Sequence, residues 1–218
     1  MSFRFEKNIK WKTNKSNVMR SYYIGLLAVL VMGLSCSPKN DAYQKLLTEH
    51  RSKVKTEFLA DSRSPLTSED KLAKMSYFPA DIDYNCQCEI TKDSVKRGIE
   101  MPTYSGISRP FYIYGKVNCK IKKQSVELTL YKSVRVVPGH PDLLFLPFKD
   151  ATNDVETYGG GRYLDLEMHD IHDDKINIDF NKAYNPWCAY SDGYNCPIPP
   201  KANHLAVGVY AGEKMYLK

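Results

Sequence analysis

Beyond Pro79 the chain is cut into short segments that read as strands, near residues 84–91, 111–120, 124–132, 143–147, 162–167, 175–180 and 204–210, with glycine, proline and asparagine between them. No helix-like stretch intervenes. Strands spaced in this way form an antiparallel sandwich or a partly open barrel, since parallel sheets need crossover helices. Within Ser125-Val126-Glu127-Leu128-Thr129-Leu130-Tyr131 apolar and polar residues alternate, as in a strand with one face in water.

Upstream the pattern is helical. Asn40 or Asp41 can cap a helix over about 41–60, in which Tyr43, Leu46, Leu47, Val54 and Phe58 fall near one face. Ser64-Pro65-Leu66 ends it, and Thr67 to Met75 reads as a short second helix opened by Thr67 and Asp70. The expected fold class is mainly β (α+β): an antiparallel β sandwich or partly open barrel with one or two N-terminal helices. A chain of 218 residues, 43% of them apolar, can bury a core without metals or disulfides. Neither an internal repeat nor a linker divides residues 42–218, which read as a single domain.

The formal charge of +6 sits mostly at the start. Residues 1–20 hold six of the 31 basic residues and one of the 25 acidic ones, which leaves the chain from Cys36 onward at +1. A domain so balanced has no general attraction for phosphate backbones, and nucleic acid is not an expected partner. After the basic stretch, Tyr22 to Leu34 carries no charge. These 13 residues fall short of the roughly 20 needed to span a bilayer as a helix and fit the apolar region of a signal peptide. Gly33-Leu34-Ser35-Cys36 resembles the lipobox of bacterial lipoproteins, in which the cysteine is acylated and becomes the new N-terminus. The reading is a signal peptide over 1–35, lipidated Cys36 with a short tether over 36–41, and a domain tied by lipid to the cell envelope; the alternative is an uncleaved N-terminal anchor, which also places the domain outside the cytoplasm.

Residues 147–194 form a long stretch rich in turn formers and aromatics. Such stretches carry function or cap a barrel end. In Glu156-Thr157-Tyr158-Gly159-Gly160-Gly161-Arg162 three glycines can form a backbone nest for an anion beside Arg162. The plainer reading is a turn in which Arg162 pairs with Glu156 or Asp165. Asp179, Asn181, Tyr184 and Asn185 either brace a hydrogen-bonded turn or converge on a cleft suited to a small polar ligand. Glu213 and Lys214 are solvated or face that long loop.

Apart from Cys36 there are five cysteines. A Cys188–Cys196 bridge closes a short loop, worth about 2 kcal/mol. Either Cys86 or Cys88 can reach Cys119, leaving one thiol over. His169 and His172, beside Asp173 and Asp174, read as an exposed hairpin turn, and no metal ligand set is assigned. No hydrolase motif of the Gly-x-Ser-x-Gly or His-Glu-x-x-His type is present.

Three blocks, SPLTSEDKLAKMSYFPADIDY, LPFKDATNDVETYGGGRYLDL and DFNKAYNPWCAYSDGYNCPIPPKANHLAVGVYAGEK, resemble a bacterial family known as domain of unknown function 1684. The resemblance covers much of residues 64–214. It falls on Glu156, Tyr158, Arg162, Asp179, Asn181, Tyr184, Asn185, Cys188, Cys196, Asn203, Glu213 and Lys214, among others, and implies no particular activity and no cofactor. The resulting expectation is an exported, lipid-anchored protein that binds a small polar or anionic ligand, or an envelope partner, through Glu156, Tyr158, Arg162, Asp179, Asn181, Tyr184, Asn185, Glu213 and Lys214. The alternative is an enzyme, hydrolase-like or other, drawing on Glu156, Arg162, Asp179, Asn181, Cys188 and Glu213.

Overall fold

Six of the seven segments read as strands are strands. The computed structural model describes residues 38–136 and 138–217. The expected signal peptide over 1–35 and the acylation site Cys36 lie outside the described residues. The unit that carries the sheet is Ala42–Lys218.

Seven strands, β1 (Asn85–Lys92), β2 (Gly98–Met101), β3 (Arg109–Ile121), β4 (Gln124–Ser133), β5 (Leu143–Phe148), β6 (Arg162–Glu167) and β7 (Lys175–Asp179), build one sheet in the order β6-β5-β4-β3-β1-β7, with β2 added to β3. Every strand pair is antiparallel. The sheet curls into a half-barrel, the partly open form of the expected fold. Its concave side is filled by side chains of alternating register: Cys88 and Ile90 from β1, Val117 from β3, Leu128 and Leu130 from β4, Leu144 and Leu146 from β5, Ile176 and Ile178 from β7. On the other face, Met101, Phe111 and Tyr131 make a smaller buried cluster with Phe145 packed against it. The β3 ladder shifts register between Ile113 and Gly115, where a Cβ on Gly115 would lie 2.6 Å from the Thr91 carbonyl oxygen. Only glycine lets β1 approach there.

Helix α1 (Pro38–Ala60) starts three residues before the predicted boundary; its N-terminal proline fits a first turn whose N–H groups lack helical partners anyway. Helix α2 covers only Glu69–Ala73, with Ser68 rather than Thr67 at its N-cap and no side-chain cap bond.

Two strand expectations need correction. Strand β2 is absent from the sequence reading because Gly98 and Glu100 break any apolar alternation; it forms as an edge on the long β3, and Met101 buries its side chain. The segment 204–210 is not a strand. Leu205 N–H (2.8 Å) and the Val207 carbonyl (3.1 Å) pair with the backbone of Lys149 and Ala151, but beyond them side chains take over: Val209 N–H donates to Asp150 Oδ1 (3.1 Å), and the Val209 and Ala211 carbonyls accept from Arg162. With these later groups spent, the single bridge does not extend into a ladder. Asn203 similarly inserts its amide between β4 and β5, accepting from Thr129 N–H (2.7 Å) and donating to the Thr129 (2.9 Å) and Pro147 (2.7 Å) carbonyls.

Cys88 and Cys119 lie opposite one another on β1 and β3 with Cα atoms 4.5 Å apart and are disulfide-bonded. That spacing matches a non-hydrogen-bonded antiparallel pair. Cys188 and Cys196 form a second disulfide. Among the described residues Cys86 is the free thiol, buried and donating to the Lys120 carbonyl, and burial pushes its pKa up to about 11.

Candidate functional site

The half-barrel does not close: β6 and β7 end the sheet on either side of a gap. Past β7 the chain returns to the outer edge of β6, where Tyr163 and Tyr184 exchange two backbone hydrogen bonds of 2.9 and 3.0 Å. Helix α1 lies over the gap and contributes His50, Arg51, Val54 and Phe58 to a cleft of about 470 Å³. Leu164 and Leu166 of β6, Asn177 and Asp179 of β7, and Asn181, Tyr184, Trp187 and Glu213 complete its walls. An antiparallel sheet that stops one strand short of closure leaves unpaired edges, and here side chains from both edges face the same space.

Four of the expected residues meet in this cleft: Asp179, Asn181, Tyr184 and Glu213. The turn Asp179-Phe180-Asn181 is held by the Asp179 carboxylate, which accepts from Asn181 N–H (3.1 Å) and Nδ2 (3.0 Å) and from the Tyr43 hydroxyl of α1 (2.8 Å). Asn181 also donates to the Asp81 carbonyl at 2.8 Å and accepts from the Asp81 N–H at 2.9 Å. This network fixes the helix on the sheet edge through Oδ1, while no donor to Oδ2 is recorded among the described residues.

Glu213 reaches the cleft from the C-terminal segment and is 2% exposed. Its carboxylate accepts from Tyr190 Oη (2.5 Å), Asn185 N–H (2.8 Å) and Tyr77 Oη (3.4 Å). Loss of solvation outweighs those three donors and raises its pKa to about 7. Asp165 of β6 lies across the wall, exposed on the cleft surface, and accepts from Tyr184 Oη at 2.9 Å. Its surroundings also raise its pKa, desolvation first. Arg51 rests on the Tyr77 ring, 4.4 Å from the centroid, and donates to the Phe78 carbonyl at 3.2 Å. Burial lowers its pKa, and its Nε has no hydrogen-bond partner.

A second concavity of about 500 Å³ opens on the other face of the sheet, against Phe111, Phe145, Tyr163 and Arg109. It shares Asp165, Tyr184 and Trp187 with the first. The shared wall follows from strand alternation: Leu164 and Leu166 turn into the core, while Tyr163 and Asp165 take the opposite face, with Asp165 paired to Phe145 on β5.

Several expectations fail. Arg162 holds no ligand anion, for it is 0% exposed and spent on the protein. It pairs with Asp150 at 2.9 Å, not with Glu156 or Asp165, and donates to the carbonyls of Val209, Ala211 and Glu213. The glycines form no anion nest. Gly161 donates its N–H to the Tyr158 carbonyl, and a Cβ at Gly159 would overlap the Asp154 carboxylate, so negative charge already stands there. The proposed catalytic set does not assemble: Cys188 is in a disulfide, Arg162 is enclosed, and neither Glu156 nor Tyr158 lines the cleft. Asn185 acts from behind, as a donor to Glu213, and Lys214 sits 5.3 Å from the Phe78 ring centroid. His169 and His172 stay on the turn between β6 and β7.

The sequence reading also misses residues. Asp165 appears there only as a partner for Arg162, because a lone Asp between two leucines is what any solvent face shows. Arg51 is one of many charges on a long helix, and only the helix position reveals it. Asp150 carried no signal of its burial.

A family model described as "Protein of unknown function (DUF1684)" matches residues 70–214. Among solved structures, the solution structure of an uncharacterised protein of Haloarcula marismortui is 29% identical, with a TM-score of 0.63, over 83% of this chain and 98% of that one. No curated protein matches the chain.

Proposed function

Because the chain belongs to the DUF1684 family, in which an activity cannot be borrowed from a relative, we propose from its own chemistry that it is a lipid-anchored envelope protein that binds a small polar ligand in the cleft under α1. The observation that carries this reading is the gathering of Asp165, Asn181, Tyr184 and Glu213 with the aromatic side chains of Phe58, Tyr77 and Trp187 at the unclosed seam of the half-barrel. A concave, partly apolar space with a few convergent polar groups and shifted carboxylates is the usual form of a ligand site. Its volume of about 470 Å³ suits a small molecule. The dispersal of Arg162, Glu156 and Cys188 favours binding over the catalytic alternative.

Two disulfides support an oxidising compartment. The basic stretch, the short apolar run and Gly33-Leu34-Ser35-Cys36 support export followed by acylation at Cys36. Lipid at that cysteine then ties the domain to the membrane.

The test is native mass spectrometry of the full chain purified from bacterial membranes in a non-ionic detergent. The parent protein carries an excess mass above its own. Val54→Trp, which fills the cleft from α1 without touching the sheet, loses that mass and keeps its melting temperature. An excess that persists in Val54→Trp, or no excess in the parent, counts against the cleft.

A further inference from the structure

The wall shared by the two concavities carries a charge that the protein leaves uncompensated. Among the described residues Asp165 forms no ion pair, and Tyr184 is the one hydrogen-bond donor recorded to its carboxylate. The histidine whose charge acts on it, His140, is turned to Glu167 at 3.1 Å. The Asp165 carboxylate is exposed on the cleft surface, and a single neutral donor leaves acceptor capacity there for a ligand.

Around it stand rings. Tyr184 and Trp187 line both concavities with it, and Tyr163 and its cross-strand neighbour Phe145 line the second. Such rings attract cations through the negative potential of their faces. The chain uses them so already, with Arg63 set 6.0 Å from the Trp187 ring and Arg51 4.4 Å from Tyr77. The other charges of the cleft strengthen the field, since Glu57, Asp61, Asp170 and Asp179 join Asp165 against Arg51 and Lys182, while Arg63 and Arg109 stand on the second concavity. An anionic ligand meets repulsion at this wall; a cation meets a free carboxylate acceptor and aromatic sides.

We propose that the ligand of this cleft is an organic amine, whose ammonium group is held between the Asp165 carboxylate and the aromatic side chains of Tyr184 and Trp187. This inference rests on the cleft reading above and specifies its ligand class. The ammonium donates to Asp165, whose second oxygen is open to it, while Tyr184 keeps the carboxylate oriented.

Trp187 makes the test direct. The chain has two tryptophans, so Trp11→Phe leaves Trp187 as the sole reporter. This full-length variant, in a non-ionic detergent that brings no ammonium of its own, is titrated with n-butylammonium, n-butanol and butyrate. Trp187 fluorescence changes saturably with the ammonium and not with the alcohol or the carboxylate. Asp165→Asn weakens that response by about tenfold or more, whereas Tyr184→Phe, which keeps the carboxylate, retains the preference for the ammonium. Ligand-observed saturation-transfer NMR repeats the comparison without relying on fluorescence. If Asp165→Asn loses its fold by circular dichroism, the parent's preference for ammonium over alcohol decides alone. Equal binding of alcohol and ammonium overturns the amine assignment while leaving a ligand cleft in place. Absence of ammonium binding in both read-outs, or undiminished binding by folded Asp165→Asn, also overturns it.

Discussion

At the scale of single residues, two buried charges behave differently. Arg162 and Asp150 are both fully enclosed, and each compensates the other at 2.9 Å. Removing one partner strands the other in a low-dielectric core, which costs about 3–5 kcal/mol. Arg162→Met is therefore expected to lower stability in urea by that amount and to free the carbonyls of 209, 211 and 213 that the guanidinium gathers. Glu213 has no such partner. Its folded pKa of about 7 lies above the 4.5 of an ordinary glutamate, so the folded state binds its proton more tightly than the unfolded state does. Below pH 4.5 both states are protonated and nothing is lost; as pH rises toward 7 the unfolded chain ionises first and stability falls, by about 3 kcal/mol in all. Urea unfolding of the parent at pH 5 and pH 8 is expected to show this decline, and Glu213→Gln is expected to flatten it. An equal slope in both proteins refutes the assignment.

The element scale shows where sequence was informative. Strands β1 and β3 to β7 were legible because alternation and turn residues are local signals, and the Cys188–Cys196 loop because its two cysteines are near in sequence. The 204–210 segment misled, since its apolar alternation is genuine and only Asp150 and Arg162, some 50 residues away, decide that its backbone pairs with side chains. The site was half legible for the same reason. Asp179 and Asn181 declare themselves as turn residues, whereas Arg51 and Asp165 acquire meaning only when α1 covers the seam between β6 and β7. That helix is attached by the buried Leu47, by Phe58 against Trp187 and Tyr190, by the Tyr43 hydroxyl, and by Gln44 and Arg51 donating to the Ala80 and Phe78 carbonyls. Tyr43→Phe removes one of these attachments while leaving Asp179 bonded to Asn181. It is expected to cost about 1 kcal/mol and to speed amide hydrogen exchange in 42–60 more than in the sheet. Uniform acceleration across the sheet and the helix would mean that α1 is an integral part of the core rather than a cover.

For the molecule as a whole, the anchoring reading rests on residues outside the sheet and makes its own prediction. The apolar run of 13 residues, Tyr22 to Leu34, falls short of the roughly 20 that span a bilayer as a helix, and among the described residues no helix is long and apolar enough to cross one. Stable attachment then depends on more than one acyl chain, since a single chain binds membranes only marginally. If Cys36 bears them, Cys36→Ala abolishes incorporation of labelled palmitate in a bacterial host and leaves the leader uncleaved, so the variant runs larger on a denaturing gel. The folded domain is unaffected, because Cys36 precedes the unit Ala42–Lys218, and the amine response of Trp187 persists. Palmitate incorporated into Cys36→Ala, or an unchanged mobility, would place attachment elsewhere. The same preparations test the compartment. Closing the 31-residue separation between Cys88 and Cys119 stabilises the domain by about 3–4 kcal/mol in the chain-entropy account. Protein retained in a reducing cytoplasm by deletion of residues 2–35 is thus expected to unfold at lower urea concentration than exported protein, and to recover once it is oxidised.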